Sequence, residues 1–262
     1  MTRPLEEEAR ELARVLSQTR QMVFLGGAGV STESGVPDYR SAGGLYSKAE
    51  SRTVPGKEIL SRSFFDRDPE THFQYYKGKL VHPDAEPNDA HHSLARLEEA
   101  GLLQLVITQN IDGLHQRAGS KQVYEMHGSM WRNTCLGCGK PYSLDDIMNM
   151  PQVVPVCADC GGIIRPDTVL YEETLDKECL KKAIRVIKSV DTMLVGGTAL
   201  AVNPARGLVK YFRGSRLVFL NHDPTPLDHR ADLLLRGSIG SVLRRAVELW
   251  ETGGGQLTVE NE

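Results

Sequence analysis

The sequence predicts an α/β fold: a doubly wound parallel sheet with a small zinc-binding domain inserted into it. Short apolar segments typical of buried strands alternate with amphipathic helical segments along most of the chain. Several of these strands end in glycines or small polar residues, as expected where ligands bind beyond the carboxyl ends of parallel strands. A segment with four cysteines, at 131–172, interrupts the alternation and indicates a separate metal-binding insert.

The composition is that of an ordinary globular protein. The chain has 262 residues, 40% of them hydrophobic and 25% charged, and 31 basic and 34 acidic residues give a net charge of -3. This balance argues against a general nucleic-acid binder, which needs a basic face. The N-terminal segment lacks the apolar core of a signal peptide, and no apolar run reaches membrane-spanning length. We therefore expect a cytoplasmic protein with reduced thiols and no membrane or nucleic-acid partner.

The first predicted strand leads into a glycine-rich turn. Residues 5–19 have the spacing of an amphipathic helix, and 22–25 form a short apolar run. Glycines at 27 and 29 would let the backbone approach a pyrophosphate, whose charge the next helix N-terminus can stabilise. The next glycine in the pattern is at 35, so the spacing is not that of the dehydrogenase fingerprint. Such turns also occur for packing alone.

A loop and a helical insert follow the turn. Asp38, Tyr39 and Arg40 place an acid, a ring and a guanidinium together after Pro37, which disfavours a helix. Residues 41–61 are rich in Ser, Gly and Lys, and we expect a mobile loop there. The helical pattern of 64–80 completes an insert at about 41–82, and a further amphipathic helix is predicted at 90–100.

Polar side chains follow the next two predicted strands. The apolar run 102–107 ends in Gln109, Asn110 and Asp112, whose amides and carboxylate suit a polyhydroxyl ligand such as a ribose. A short strand at 123–126 then delivers His127. A lone histidine at a strand end is by default an ordinary surface or core residue, so its interpretation depends on the rest of the chain.

Four cysteines predict a structural zinc site. They form two Cys-x2-Cys pairs separated by eighteen residues, at Cys135, Cys138, Cys157 and Cys160. In a reducing compartment this spacing is typical of tetrahedral zinc, and four thiolates leave no open position for water. Two redox-active pairs are the alternative.

The second half of the chain returns to the α/β alternation. After an extended segment at 165–173, a helix is predicted at 177–189, with strands at 192–195, 216–220 and 231–235 and a last helix at 239–250. We divide the chain into a large domain at 1–130 and 173–252, a zinc-binding module at 131–172, and a disordered tail at 253–262.

Together these motifs resemble the sirtuins, NAD-dependent protein lysine deacylases. The resemblance extends from about residue 20 to about residue 250. It is carried by 27–31 with 34–40, by 108–112, by His127-Gly128, by the four cysteines and by Gly197-Thr198.

The resemblance implies a Rossmann-like large domain, a zinc-binding small domain and an active site in the cleft between them. His127 would be the general base, with Asn110 and Asp112 as further catalytic residues. The segment Val169, Leu170, Tyr171 and Glu172, with Val202 opposite, would bind an acylated-lysine protein or peptide as an added strand. NAD would be the co-substrate, and its binding residues would be Ala28, Gly29, Thr32, Val36, Asp38, Tyr39, Arg40, Gln109, Asn110, Ile111, Asp112, His127, Gly197, Thr198, Ala199, Asn221 and Ile239.

The implied reaction transfers the acetyl group from lysine to ADP-ribose and releases nicotinamide. The sequence departs from the family at Tyr39, usually Phe, at Ala199, usually Ser, and at Glu172, usually Gly. A Tyr-x-x-Lys pattern at Tyr76 and Lys79 keeps removal of succinyl or malonyl groups open. The competing functions are mono-ADP-ribosyl transfer, NAD-dependent dehydrogenation and binding through a zinc ribbon without catalysis. We expect a monomer.

Overall fold

The computed structural model describes residues 3–41, 44–46, 54–201 and 203–254. Residues 42, 43 and 47–53 of the predicted mobile loop, all but the start of the predicted disordered tail, and the predicted substrate residue Val202 lie outside the described residues. The end of that loop is ordered instead, with a helical turn at Gly56–Ile59 and a buried Leu60.

A six-stranded parallel sheet forms the large part of the molecule. The strands are β1 (Met22–Gly26), β2 (Leu103–Thr108), β3 (Val123–Glu125), β7 (Thr192–Gly196), β8 (Arg216–Leu220) and β9 (Leu233–Leu235). Their order across the sheet is β3-β2-β1-β7-β8-β9, and all neighbouring pairs are parallel. This is a doubly wound sheet, the class that the sequence predicts.

Helices cover both faces of this sheet. In β1, Met22 and Phe24 face one buried cluster, while Val23 and Leu25 face the other, as the two-residue period of a strand requires. The first face is covered by α1 (Leu5–Gln18), α5 (Asp89–Glu99) and α10 (Ile239–Leu249), and the second by α8 (Lys177–Ser189) and α9 (Ala205–Leu208).

A second, antiparallel sheet holds the cysteine segment. Its strand order is β5-β4-β6, with β4 at Gly128–Cys135, β5 at Pro141–Ser143 and β6 at Ile164–Thr168, and it carries the short helix α7 (Leu144–Met148). Side chains of the helical insert, among them Phe65, Phe73 and Tyr76, pack in the same buried cluster as this sheet. The domain boundaries given above remain a prediction.

The helix predicted at 64–80 is divided into three parts. The chain forms α2 (Gly56–Ile59), α3 (Arg62–Arg67) and α4 (Pro69–Tyr75), followed by a π-turn at Tyr76–Leu80. Asp68 lies between α3 and α4, and its side chain accepts a hydrogen bond from Thr71 N, so it caps α4 while Pro69 takes the first helical position.

The helix expected after the glycine-rich turn is absent from the described residues. Two short 3₁₀ turns, Ala28–Val30 and Thr32–Ser34, follow β1 instead. The phosphate-binding interpretation therefore rests on backbone N–H groups of a turn rather than on a helix terminus. The remaining short helix of the large sheet is α6 (Leu114–Arg117). No helix within the described ranges is long and apolar enough to cross a membrane.

Candidate active site

A cleft of about 890 Å³ opens at the carboxyl ends of the parallel strands. It lies where the strand order changes direction, between β1 and β7. There the two strand-end turns touch, and Gly29 N donates a 2.8 Å hydrogen bond to Gly197 O. A Cβ on Gly29 would lie 2.8 Å from the Gly197 Cα, so this close approach requires glycine.

Most of the residues that the sequence predicts for the site line this cleft. Those on its wall are Ala28, Gly29, Thr32, Asp38, Tyr39, Arg40, Gln109, Asn110, Ile111, His127, Val169, Leu170, Tyr171, Glu172, Gly197, Thr198, Ala199, Asn221 and Ile239. Val36 and Asp112 are not on the wall. Val36 donates its backbone N–H to Ser31 O, and Asp112 lies buried behind Asn110.

Ser31 connects the polar residues that follow β2. Its hydroxyl accepts a 2.9 Å hydrogen bond from Asn110 Nδ2 and donates a 2.7 Å bond to Asp112 Oδ2. Asp112 also accepts from Leu114 N at 3.0 Å. Burial raises the pKa of Asp112, although these hydrogen bonds oppose the shift. Asp112 therefore acts on the cleft by holding Ser31 and Asn110 in place.

His91, which sequence reasoning missed, completes this network. Its Nδ1 accepts a hydrogen bond from Asn88 N in the capping box of α5, so a neutral ring carries its proton on Nε2. Nε2 is 3.5 Å from Ser31 Oγ and can donate to it. Ser31 then directs its own proton to Asp112. The Asn-x-x-His spacing at 88–91 is a capping signal, but nothing in it indicates contact with Ser31.

His127 presents one nitrogen to the cleft in a defined state. Its Nδ1 lies 2.9 Å from Gln109 O, and a carbonyl only accepts, so Nδ1 carries the proton and Nε2 keeps its lone pair. Burial lowers the pKa of His127, and the bond to the Gln109 carbonyl only partly opposes this shift. At neutral pH the ring is therefore uncharged and able to accept a proton.

The segment after β6 extends from the histidine along the cleft. Val169 N donates to His127 O at 2.9 Å, and Tyr171 N donates to Leu60 O at 3.0 Å. Glu173 accepts two bonds from Arg165, at 2.6 and 2.8 Å, and a third from Leu170 N. These bonds engage the backbone N–H groups of Val169, Leu170 and Tyr171 and fix the segment on the cleft wall.

Glu172 does not present a free carboxylate to substrate. It lies in the left-handed region with φ of 77°, which explains why glycine is usual there. Its carboxylate accepts from Ser63 N and Ser63 Oγ, both at 2.9 Å. These two bonds at the start of α3 offset the backbone strain. The charge of Glu172 alone would suggest that it attracts basic residues of a substrate. Its bonds to Ser63 argue against that role.

Tyrosines join the loop after β1 to the substrate segment. The rings of Tyr39 and Tyr46 lie 5.1 Å apart, and the hydroxyls of Tyr46 and Tyr171 are 3.4 Å apart. Asp38 Oδ1 accepts from the backbone N–H groups of Arg40 and Ser41, which closes the turn. The loop that carries Tyr39 thus contacts the segment expected to bind peptide.

The far end of the cleft offers groups for an adenosine. Asn221 Oδ1 accepts from Thr198 N at 2.8 Å, while its Nδ2 is buried without a partner among the described residues. Glu33 Oε1 accepts from Gly240 N at the start of α10. Gln109 Nε2 donates to Thr198 Oγ1 at 2.8 Å, so the two ends of the cleft share one hydrogen-bond network.

The four cysteines converge at one point of the small sheet. Their sulfurs all lie within 4.8 Å of one another, with 3.4 Å between Cys135 and Cys160 and 3.7 Å between Cys138 and Cys157. Tetrahedral zinc at about 2.3 Å from each sulfur places neighbouring sulfurs about 3.8 Å apart. The two short distances join different Cys-x2-Cys turns. The cluster thus fits one shared structural zinc ion better than two redox pairs.

Comparisons with known proteins agree with this geometry. A profile described as Sir2 family matches residues 27–204. The chain is 46% identical over 243 residues to an NAD-dependent protein deacetylase of Clostridium acetobutylicum, over 93% of this chain and 99% of that protein. A protein of the same name from Clostridium perfringens is 48% identical over 245 residues, covering 93% and 100%. A solved Sir2 structure with a deacetylated p53 peptide and 3'-O-acetyl ADP-ribose is similar with a TM-score of 0.84 at 37% identity, covering 94% of this chain and 98% of that one.

Proposed function

The chain belongs to the Sir2 family and is an NAD-dependent protein deacetylase, and from this premise we propose that His127 is its general base. The observation that carries the proposal is the hydrogen bond from His127 Nδ1 to Gln109 O, which leaves Nε2 free at the cleft wall. A lowered pKa keeps that nitrogen unprotonated at neutral pH.

The reaction requires a base but no protein nucleophile. The acyl oxygen of the lysine amide attacks the ribose carbon that bears nicotinamide, and nicotinamide leaves as a neutral molecule. A ribose hydroxyl then loses its proton to His127 and attacks the acyl carbon, and one water molecule adds as the lysine amine leaves. Acetyl-lysine, NAD and water thus give free lysine, nicotinamide and acetyl-ADP-ribose, so each acetyl group removed consumes one NAD.

We assign the cofactor-binding roles according to position in the cleft. Asn110 faces the cleft and would orient the nicotinamide end, with Asp112 holding it through Ser31. The turn would let the pyrophosphate approach at Gly29 and would offer it the Ala28 N–H, because the Gly29 N–H already bonds Gly197 O. At the other end, the buried and unpaired Nδ2 of Asn221 would donate to the adenosine half.

The substrate peptide would add a strand beside Val169, Leu170 and Tyr171. Because the N–H groups of this segment are already bonded, its carbonyl oxygens would accept the main-chain hydrogen bonds, which supply affinity with little dependence on sequence. Val202 on the opposite side remains a predicted contact. The zinc ion would stabilise the small sheet, whose strand β6 leads directly into this segment, and would take no part in the chemistry.

Product analysis tests the proposed function. An acetyl-lysine peptide is incubated with and without NAD, and peptide, nicotinamide and acetyl-ADP-ribose are quantified by mass spectrometry. We expect the three products in equal amounts and only with NAD. Label from NAD on protein without loss of acetyl groups would contradict deacetylation and support mono-ADP-ribosyl transfer. As a test of the nicotinamide pocket, Asn110→Ala should reduce nicotinamide release itself.

A second candidate activity concerns longer acyl groups with a polar end. Tyr76 lines the cleft, and its hydroxyl is buried without a hydrogen-bond partner among the described residues. Leu60 and Leu80 lie on the same wall. An unpaired buried hydroxyl is costly unless a ligand satisfies it. Lys79, the second residue of the Tyr-x-x-Lys pattern, is not on the wall, so this observation favours a polar acyl end more than a second charge contact.

Turnover on acetyl-, butyryl- and succinyl-lysine peptides decides this second candidate, with Tyr76→Phe as the matched variant. If the hydroxyl binds the acyl end, Tyr76→Phe lowers succinyl turnover about 5- to 10-fold and leaves butyryl turnover unchanged. Equal losses on all three peptides would contradict a role in acyl recognition.

We further propose that the protein is a monomer of the cytoplasm. Light scattering of the purified chain tests the first statement, and fractionation of cells tests the second.

A further inference from the structure

The protein surface on the α8 side of the large sheet is strongly basic, although the whole chain has a net negative charge. Residues 177–216 contain nine basic and two acidic residues, whereas the rest of the chain contains 22 basic and 32 acidic residues. Helix α8 alone contributes Lys177, Lys181, Lys182, Arg185 and Lys188, all of them exposed. Charge of this density on one face is not explained by the proposed chemistry.

The neighbouring segment extends the same charged face. Helix α9 and the 3₁₀ turn Val209–Tyr211 pack beside α8 on one buried cluster. They expose Arg206 and Lys210, and Arg213 follows them. The amine of Lys188 lies 5.6 Å from the centre of the Tyr211 ring, which links the two segments. We call α8 together with residues 205–213 the basic face.

Few carboxylates neutralise the basic face. Glu178 forms an ion pair with Lys181, the α8 cap Asp176 attracts Lys182, and Asp191 accepts from Arg20 N and Thr192 Oγ1. Within the described ranges no other cation of the basic face forms an ion pair. Unpaired cations on one surface attract a partner of opposite charge.

The basic face is continuous with the proposed substrate cleft. Lys177 at the start of α8 lines the cleft, and so does Pro204, which immediately precedes α9. Helix α8 has 13 residues and therefore runs for about 20 Å away from the cleft. An extended peptide of about six residues would span the same distance.

We propose that the basic face binds an acidic segment of the protein substrate that flanks the acyl-lysine. This inference rests on the proposed function and adds a substrate class to it: acyl-lysines with a run of aspartate or glutamate beginning a few residues away. A nucleic acid or an anionic membrane would extend beyond the basic face and meet the acidic remainder of the chain, so the adjoining peptide cleft favours a protein segment.

Steady-state kinetics on four acetyl-lysine peptides test the proposal. One peptide is neutral, one has an acidic block before the lysine, one has it after the lysine, and one has a basic block. We expect one acidic peptide to have a KM about 3- to 10-fold below that of the neutral peptide with unchanged kcat. The advantage should fall below about 2-fold in about 0.5 M NaCl, where exposed charges are screened.

Matched variants locate the effect. Lys182→Gln with Arg185→Gln removes two cations of the basic face and keeps helix propensity. Arg14→Gln with Lys121→Gln removes the same two residue types elsewhere on the surface. The first variant should lose at least half of the advantage of the acidic peptide, and the second should keep it. Both should deacetylate the neutral peptide as the wild type does.

Three results would overturn the proposal. The first is an equal KM for acidic and neutral peptides at low salt, and the second is an equal effect of the two variants. In the third, duplex DNA or vesicles of phosphatidylcholine with phosphatidylserine bind through Lys182 and Arg185 while the acidic peptides gain nothing. Loss of NAD-dependent deacetylation of the neutral peptide in the wild type would instead contradict the proposed function itself.

Discussion

Two buried histidines behind the cofactor cleft should make the fold sensitive to mild acid. The rings of His91 and His115 lie 4.7 Å apart, and both residues are buried. Burial lowers the pKa of His91 to about 4 and that of His115 to about 3. Neither ring nitrogen of His115 has a hydrogen-bond partner among the described residues.

The sign and size of the effect follow from proton linkage. An unfolded histidine has a pKa of about 6.5, so below this pH the unfolded chain binds protons that the folded chain excludes. Stability is therefore lost as the pH falls from about 6.5 toward the folded pKa values. Lowering the pH from about 7 to about 5 costs about 2 kcal/mol for each histidine, or about 4 kcal/mol for the pair.

Urea unfolding at the two pH values measures this loss of unfolding free energy. The variant His115→Leu removes the share that His115 contributes. Leucine has a similar volume and leaves no hydrogen bond broken, so the variant should be as stable as the wild type at neutral pH. Its pH-dependent loss should be about 2 kcal/mol smaller. His229→Gln, at an exposed position, is the control. Acid release of zinc affects all three proteins alike. An equal pH dependence of His115→Leu and wild type would show that the buried His115 ring does not cause the acid sensitivity.

Three further perturbations test other parts of the structure. Gly128→Ala would place a Cβ 1.8 Å from the Asp167 carbonyl oxygen at a φ of 77°, so we expect the free energy of unfolding to fall by about 3 kcal/mol or more. An unchanged midpoint of thermal unfolding would contradict the geometry. Glu172→Ala and Glu172→Gly both lose the hydrogen bonds to Ser63, but only glycine adopts the positive φ without strain. The alanine variant should therefore be less stable than the glycine variant by about 1 kcal/mol, and equal stabilities would contradict strain at this residue. Elemental analysis should find one zinc ion per chain, and chelation should disorder the small sheet and abolish activity; activity that persists after zinc loss would exclude a structural role.

Local patterns predicted the regular elements well. The strand at 216–220 and the helix at 177–189 have the predicted bounds, because the first is a short apolar run that stops at Asn221 and the second combines helical spacing with a capping Asp176. The helix predicted at 64–80 was wrong as a single element. Its aromatic pattern continues through Asp68-Pro69, where capping by Asp68 restarts the helix in a new direction.

The sequence predicted most residues of the candidate site but not the hydrogen bonds that connect them. Gln109, Asn110 and His127 stand out because polar groups follow buried strands at the ligand-binding edge of the sheet. The roles of Ser31 and His91 depend on contacts 60 and 79 residues apart along the chain, which no local pattern contains. Asp112 was predicted on the cleft wall but lies behind it, because it bonds Ser31, a residue far away along the chain.

Single-turnover deacetylation by wild type and His127→Ala tests whether His127 is the general base. An acetyl-lysine peptide and NAD are mixed with excess enzyme, and transfer of acetyl to ADP-ribose is followed by mass spectrometry, with circular dichroism to verify folding. A general base contributes about 10²- to 10⁴-fold, so the rate of acetyl transfer in the variant should fall by that factor while its spectrum stays that of the wild type. A folded His127→Ala that transfers acetyl at the wild-type rate would contradict the assignment of His127 as the base.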